Sequence, residues 1–125
     1  MISSADYDYA LDATMSAIEG RWKTVILCRL ANAGVPMRFN QLMAELPGIS
    51  PRIFSLQLKE LEKDGLLVRE VRSESPKCVV YSLSDRGLSL IPILDLLAVW
   101  GMQNFSTDLI SIGTEQIREK EKARA

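Results

Sequence analysis

The sequence has no histidine in its 125 residues. That absence removes imidazole-assisted serine and cysteine nucleophiles, histidine-ligated zinc and histidine proton shuttles. Cysteine is scarce: Cys28 and Cys78 stand far apart, without the spacing of a metal knuckle or a redox CxxC pair. No GxGxxG or Walker-type loop offers its amides to a phosphate. Acidic residues cluster only in surface-type settings such as Glu60, Glu62 and Asp64. The expectation is a protein that is not an enzyme, with no catalytic residue, metal or cofactor. Long apolar runs are also missing. Leu88 to Met102 is interrupted by Ser89, Pro92, Asp95 and Gly101, and it falls short of the roughly 20 residues that span a bilayer. With no basic leader at the N-terminus, a soluble, cytoplasmic chain without a membrane partner is expected.

A hydrophobic content of 47% and a charged content of 25% suit one globular domain. The net charge of −1 rules out a uniformly basic coat protein. Charge is nonetheless segregated. Asp6, Asp8, Asp12 and Glu19 precede the first base, whereas Arg21, Lys23, Arg29 and Arg38 run to Ala44 without an acid.

Ala10, Leu11, Met15 and Ile18 recur at helical spacing and stop at Gly20. A mostly buried second helix is expected from Trp22 to Ala31, ending near Gly34. Pro36 keeps Val35 to Arg38 extended. A third helix, about Asn40 to Glu45, is expected to bury Phe39, Leu42, Met43 and Leu46. Pro47-Gly48-Ile49 turns the chain, and Ser50-Pro51 supplies an N-cap followed by proline at the first helical position. This fourth helix runs to Asp64, with Gly65 as its left-handed terminator. Leu66 to Arg72 and Lys77 to Leu83 alternate as strands, with Val79, Tyr81 and Leu83 on one face. Ser73 to Pro76 is expected as a tip too long for a tight two-residue turn. Ser84 caps a last helix from Asp85 to about Phe105. The order defines a mainly α chain with a small β-hairpin, a winged helix-turn-helix. It is expected to occupy residues 1–106, including N- and C-terminal dimerisation helices, with a polar helical or frayed tail over 107–125.

On the fourth helix, Phe54, Leu58 and Leu61 share one side with Ile53 beside them, while Arg52, Ser55, Leu56, Lys59 and Lys63 share the other. An anchored helix with a basic, hydroxyl-bearing edge fits the major groove of double-stranded DNA. Arg52 suits guanine, Ser50 and Ser55 suit a base or a phosphate, and Lys59 and Lys63 suit the backbone. Arg69, Arg72 and Lys77 straddle the hairpin tip and could track phosphates, against Glu70 and Glu74. Arg38 and Asn40, and after them Arg21 or Lys23, are further phosphate candidates, the last two expected chiefly as ordinary solvent-exposed side chains. A solvated basic face, or a winged helix that binds only protein, explains the same pattern without DNA.

Trp22 and Trp100 sit among apolar neighbours as core or interface residues. The last helix is apolar in nearly every direction, so a second copy is expected to cover it. The expected homodimer interface comprises Leu11, Met15, Ile91, Leu94, Leu97, Ala98, Trp100 and Gly101. Pro92 is expected to bend that helix, and a cavity between the first and last helices would suit an apolar small-molecule effector of unidentified structure.

Ile18-Glu19-Gly20-Arg21-Trp22, Arg38-Phe39-Asn40-Gln41-Leu42 and Leu46-Pro47-Gly48-Ile49-Ser50 resemble the HxlR-type regulators. So do Leu58 to Leu66, Val79 to Gly87, and Trp100-Gly101. The match covers about Leu11 to Gly101. It implies a dimeric winged helix on promoter DNA, with the Ser50 to Asp64 helix reading bases. Many such proteins open helix one with a cysteine ahead of a proline, and some sense oxidants there. This chain has Asp8-Tyr9-Ala10-Leu11 instead. Cys28 reads as a small buried hydrophobe, and Cys78 as a more exposed thiol open to oxidation.

Overall fold

The computed structural model describes residues 2–105, so the tail expected over 107–125 lies outside the described residues. Its elements are α1 (Ser4–Ile18), α2 (Lys23–Ala33), β1 (Met37–Arg38), α3 (Phe39–Met43), α4 (Pro51–Lys63), β2 (Leu67–Glu74), β3 (Lys77–Leu83) and α5 (Asp85–Asn104).

The first helix starts earlier than the apolar spacing indicates, because the acidic stretch is helical too, with Asp6 in its first turn. The Ser3 side chain accepts a hydrogen bond from the Asp6 amide, and Asp6 lies at the positive end of the helix dipole. Gly34 ends α2 in the left-handed conformation, φ 67°, with its N–H bonded to the Leu30 carbonyl. In α4, Ser50 Oγ accepts from the Ile53 amide at 3.2 Å and Pro51 follows at the first turn. In α5, Ser84 Oγ accepts from the Gly87 amide at 3.0 Å.

The strands form one antiparallel sheet in the order β1-β3-β2, so the extended segment before α3 becomes an edge strand. The hairpin differs from expectation. Pairing continues to Glu74 opposite Lys77, leaving the cis-linked Ser75–Pro76 as a two-residue turn. A bulge between Val71 and Ser73 takes up the extra residue, Arg72, and allows the tighter tip. The face assignment is also refined. Tyr81 and Leu83 pack against the main core, but the most buried residue of β3 is Val80, on the opposite face and paired with Arg38 and Glu70.

Ile26 and Leu27 of α2, Leu42 of α3, Leu46, and Phe54 and Leu61 of α4 are completely inaccessible and form the centre of the core. The Phe39 and Phe54 rings meet at 4.8 Å between centroids, tilted by 52°. Complete burial of a phenylalanine contributes about 1.5–3 kcal/mol by transfer alone, which fixes the depth of α4 against α2 and α3.

The end of α4 is fastened to the start of α5. The Ser84 amide donates to the Leu66 carbonyl at 3.1 Å, Ser84 Oγ to the Gly65 carbonyl at 2.6 Å, and Arg86 Nη1 to the Asp64 carbonyl at 3.1 Å. Gly87 permits this approach, since a Cβ there would stand 2.1 Å from the Leu66 carbonyl oxygen.

Candidate nucleic-acid interface

A helix advances about 100° per residue, so the residues of α4 divide around its axis. Phe54, Leu58 and Leu61 lie against the core and are buried. Arg52, Leu56, Lys59 and Lys63 are exposed on the opposite side, and Ser55 is half-buried at its edge. Ser50 is half-buried and its oxygen is engaged in capping the helix, so it holds the N-terminus in place as well as lying near it.

The two flanks of α4 have different neighbours. On one, Glu60 meets Lys23 of α2, with 2.7 Å between carboxylate oxygen and Nζ. Lys23 is only 6% exposed. This corrects its assignment to the surface: the first turn of α2 packs against α4, and Glu60 neutralises the ammonium that this packing encloses. Arg21 remains exposed, its guanidinium 4.9 Å from the centroid of half-buried Trp22.

The other flank borders the wing across an open cleft of about 300 Å³ lined by Ser55, Leu58, Lys59, Glu62, Arg69 and Tyr81. Arg69 is opposite Tyr81 in the ladder, so both project to the α4 side of the sheet. The structure therefore brings Arg69 beside Ser55 and Lys59. The sequence groups Arg69 with Arg72 and Lys77 as a wing residue that tracks phosphates, without placing it beside α4. The available signal was its spacing: it lies two residues from buried Leu67 and shares that residue's face.

Other basic candidates lie elsewhere. Arg38 is opposite Val80 and so faces away from the α4 side, while Asn40 is exposed on α3. Arg72 occupies the bulge, with its Nε 3.6 Å from a Glu70 oxygen in a solvent-exposed pair that offsets part of its charge. Lys77 is exposed at the tip opposite Glu74.

The expected pairing surface is uneven. Leu11 and Met15 of α1 are exposed, as are Leu97, Ala98 and Trp100 of α5. Gly101 is half-buried, and Ile91 packs partly on the core. Leu94 is 6% exposed because it belongs to the core of its own chain, leaving it little surface for a partner. Leu88, Ile93, Leu96, Val99 and Met102 add further exposed apolar area to α5. A groove of about 270 Å³ lies between α1 and α5, lined by residues including Ala13, Ala17, Ile18, Arg86, Leu90 and Ile93.

Cys28 is half-buried between α2 and α5, near Leu94, Leu97 and Ala98. Burial pushes its thiol above the usual range, Asp95 reinforces the rise and Arg29 opposes it. Cys78 is half-buried rather than freely exposed, opposite Ser73 on the Val80 face of β3. No cluster of metal-binding side chains occurs among the described residues, and no described helix is long and apolar enough to cross a membrane.

The HxlR-like helix-turn-helix family model matches residues 17–109. The HTH-type transcriptional regulator YdzF of Bacillus subtilis is 46% identical over 89 residues, covering 71% of this chain and 81% of YdzF. The reduced form of the redox regulator HypR superposes with a TM-score of 0.69 at 36% identity, covering 76% of this chain and 92% of HypR. A MarR-family transcriptional regulator from Enterococcus faecalis V583 gives a TM-score of 0.71 at 30% identity, covering 94% and 97% of the two chains. This agreement extends from the second helix through the wing to the last helix, and the chain belongs to the HxlR-like helix-turn-helix family of transcriptional regulators.

Proposed function

We propose that the protein is a sequence-specific regulator that binds double-stranded promoter or operator DNA as a homodimer. The observation that carries this reading is the division of α4. Its apolar side is consumed by the core, while Arg52, Ser55, Leu56, Lys59 and Lys63 line the outer edge. Placed in a major groove, Arg52 donates two hydrogen bonds to a guanine edge, Ser55 contacts a base or a phosphate, and Leu56 meets a thymine methyl. Lys59 and Lys63 contact the backbone, joined by Arg69 across the cleft and by Arg72 and Lys77 of the wing. Ser50, Arg38 and Asn40 complete the phosphate contacts.

The exposed apolar residues of α5 and α1 support the homodimer. Leu11, Met15, Leu97, Ala98 and Trp100 form the centre of its interface, with Ile91 and Gly101 at the edge. Two copies then present two α4 helices to half-sites about one DNA turn apart, roughly 34 Å. The binding and pairing surfaces both fall within the described residues 2–105. The groove between α1 and α5 suits an apolar effector. No thiol switch is assigned, since the chain lacks the N-terminal cysteine and burial disfavours the Cys28 thiolate.

Selection from a pool of random duplexes, followed by sequencing of the retained fragments, tests the proposal. The expected result is an inverted repeat whose binding weakens steeply with salt through counterion release. Retention of no DNA, together with one stoichiometric protein partner, would overturn it in favour of a protein-interaction module.

A further inference from the structure

We infer that the Lys23–Glu60 ion pair is a positioning device for sequence reading, fixing the rotation of α4 about its own axis. The inference rests on the DNA-binding reading above. Lys23 is the one buried charged side chain among the described residues. Burial of an ammonium is costly, and Lys23 stands in the first turn of α2, where the helix dipole is also positive. Nothing on α2 offsets that charge: Trp22 makes no capping hydrogen bond and the first turn has no acid. Glu60 of α4 supplies the compensation at 2.7 Å.

The pair joins the buried Lys23 ammonium to a Glu60 side chain that is 51% exposed, and a partly solvated pair of this kind is a poor source of stability. It does supply direction. The contacts of Phe54, Leu58 and Leu61 hold α4 at its depth, whereas Lys23, enclosed at 6% exposure, cannot swing after a displaced Glu60 as an exposed lysine would, so their 2.7 Å separation is kept over only a narrow range of α4 rotation. Glu60 follows Lys59 by one residue, so rotation of α4 displaces the pair and the outer edge together. With side chains reaching about 5–6 Å from the axis, a rotation of about 20° moves their tips by about 2 Å. That displacement breaks a two-bond contact from Arg52 to a base. The long, flexible Lys59 and Lys63 side chains can still follow phosphates. The pair therefore governs discrimination between sequences more than affinity for DNA in general.

The test uses the full chain, with the DNA selected by the wild type and a scrambled duplex as probes. Lys23→Met combined with Glu60→Gln removes both charges without leaving an unpaired ammonium. This variant is expected to stay folded by circular dichroism, to bind scrambled DNA with the wild-type salt slope, and to lose about tenfold in its preference for the selected sequence. Lys23→Arg, which keeps the pair, is expected to retain the preference. If the methionine variant does not fold, Lys23→Leu with Glu60→Gln carries the same expectation. A folded charge-free variant with wild-type preference would overturn the inference. Failure of the wild type to select any sequence would instead overturn the DNA-binding reading.

Discussion

Helices α4 and α5 carry comparable roles in the fold but opposite surface economies. In α4, thirteen residues divide sharply: Phe54, Leu58 and Leu61 are buried, while every charged residue is exposed. In α5, twenty residues include an apolar excess, yet only Gly87 and Leu94 are buried. The difference teaches that apolar content alone does not assign a helix to a core. What matters is the face left uncovered after the chain has folded. That face is basic and polar on α4, suited to phosphates and base edges, and apolar on α5, suited to another apolar surface.

The strongest challenge to this contrast is Phe54→Ala. It should destabilise the domain by about 3–5 kcal/mol, a large share of the roughly 5–15 kcal/mol typical of a whole fold. Urea unfolding checks the value, and a loss below about 1 kcal/mol would show that α4 is not anchored through this ring. On α5 the informative change is Leu97→Glu. The folded monomer should tolerate it, since Leu97 is about half exposed. Association should fail, with operator affinity falling about a hundredfold as the two linked contacts separate. Sedimentation equilibrium decides the point, and an unchanged dimer would remove Leu97 from the interface. Arg52→Ala has a smaller expected effect, costing roughly 1–3 kcal/mol of binding and relaxing one base position in each half-site, with little change in melting temperature. Equal affinity across all single-base variants, at wild-type levels, would clear Arg52 of base contact.

The smallest effect concerns the α2–α5 seam. Because burial raises the Cys28 thiol pKa, its reactive thiolate is less populated near pH 8 than in the unfolded chain and increases as pH rises. Iodoacetamide should therefore label Cys28 more slowly in the folded protein than in urea. Equal rates, followed by peptide mass spectrometry, would indicate that this seam opens to solvent.

Much of the fold was legible because its signals are local. The Ser50-Pro51 start and Gly65 stop bounded α4, and the apolar spacing of Phe54, Leu58 and Leu61 identified its inner face. Features that depend on contacts between distant segments were harder to read. Lys23 looked like an ordinary exposed base because Glu60 lies far along the chain. Arg69 looked like a generic wing residue until strand register set it opposite Tyr81 and across from Ser55. The tight hairpin has no such local sign, since a bulge at Arg72 changes the count of paired residues without an obvious sequence mark. Leu94 illustrates the same limit on α5: periodicity marked it as apolar, but only packing distinguished it from its uncovered neighbours.

The fastening of Gly65 and Leu66 to Ser84 has a consequence for how this sequence can vary. Everything between these points, from Leu67 to Leu83, forms an excursion whose two ends are already joined. Residues inserted or removed at the Ser75–Pro76 tip would alter the reach of the excursion while leaving the corner between the helices unchanged. The hairpin can thus serve as an adjustable appendage, open to changes of length, whereas Gly87 beneath it admits no added side chain without shifting the Leu66 backbone.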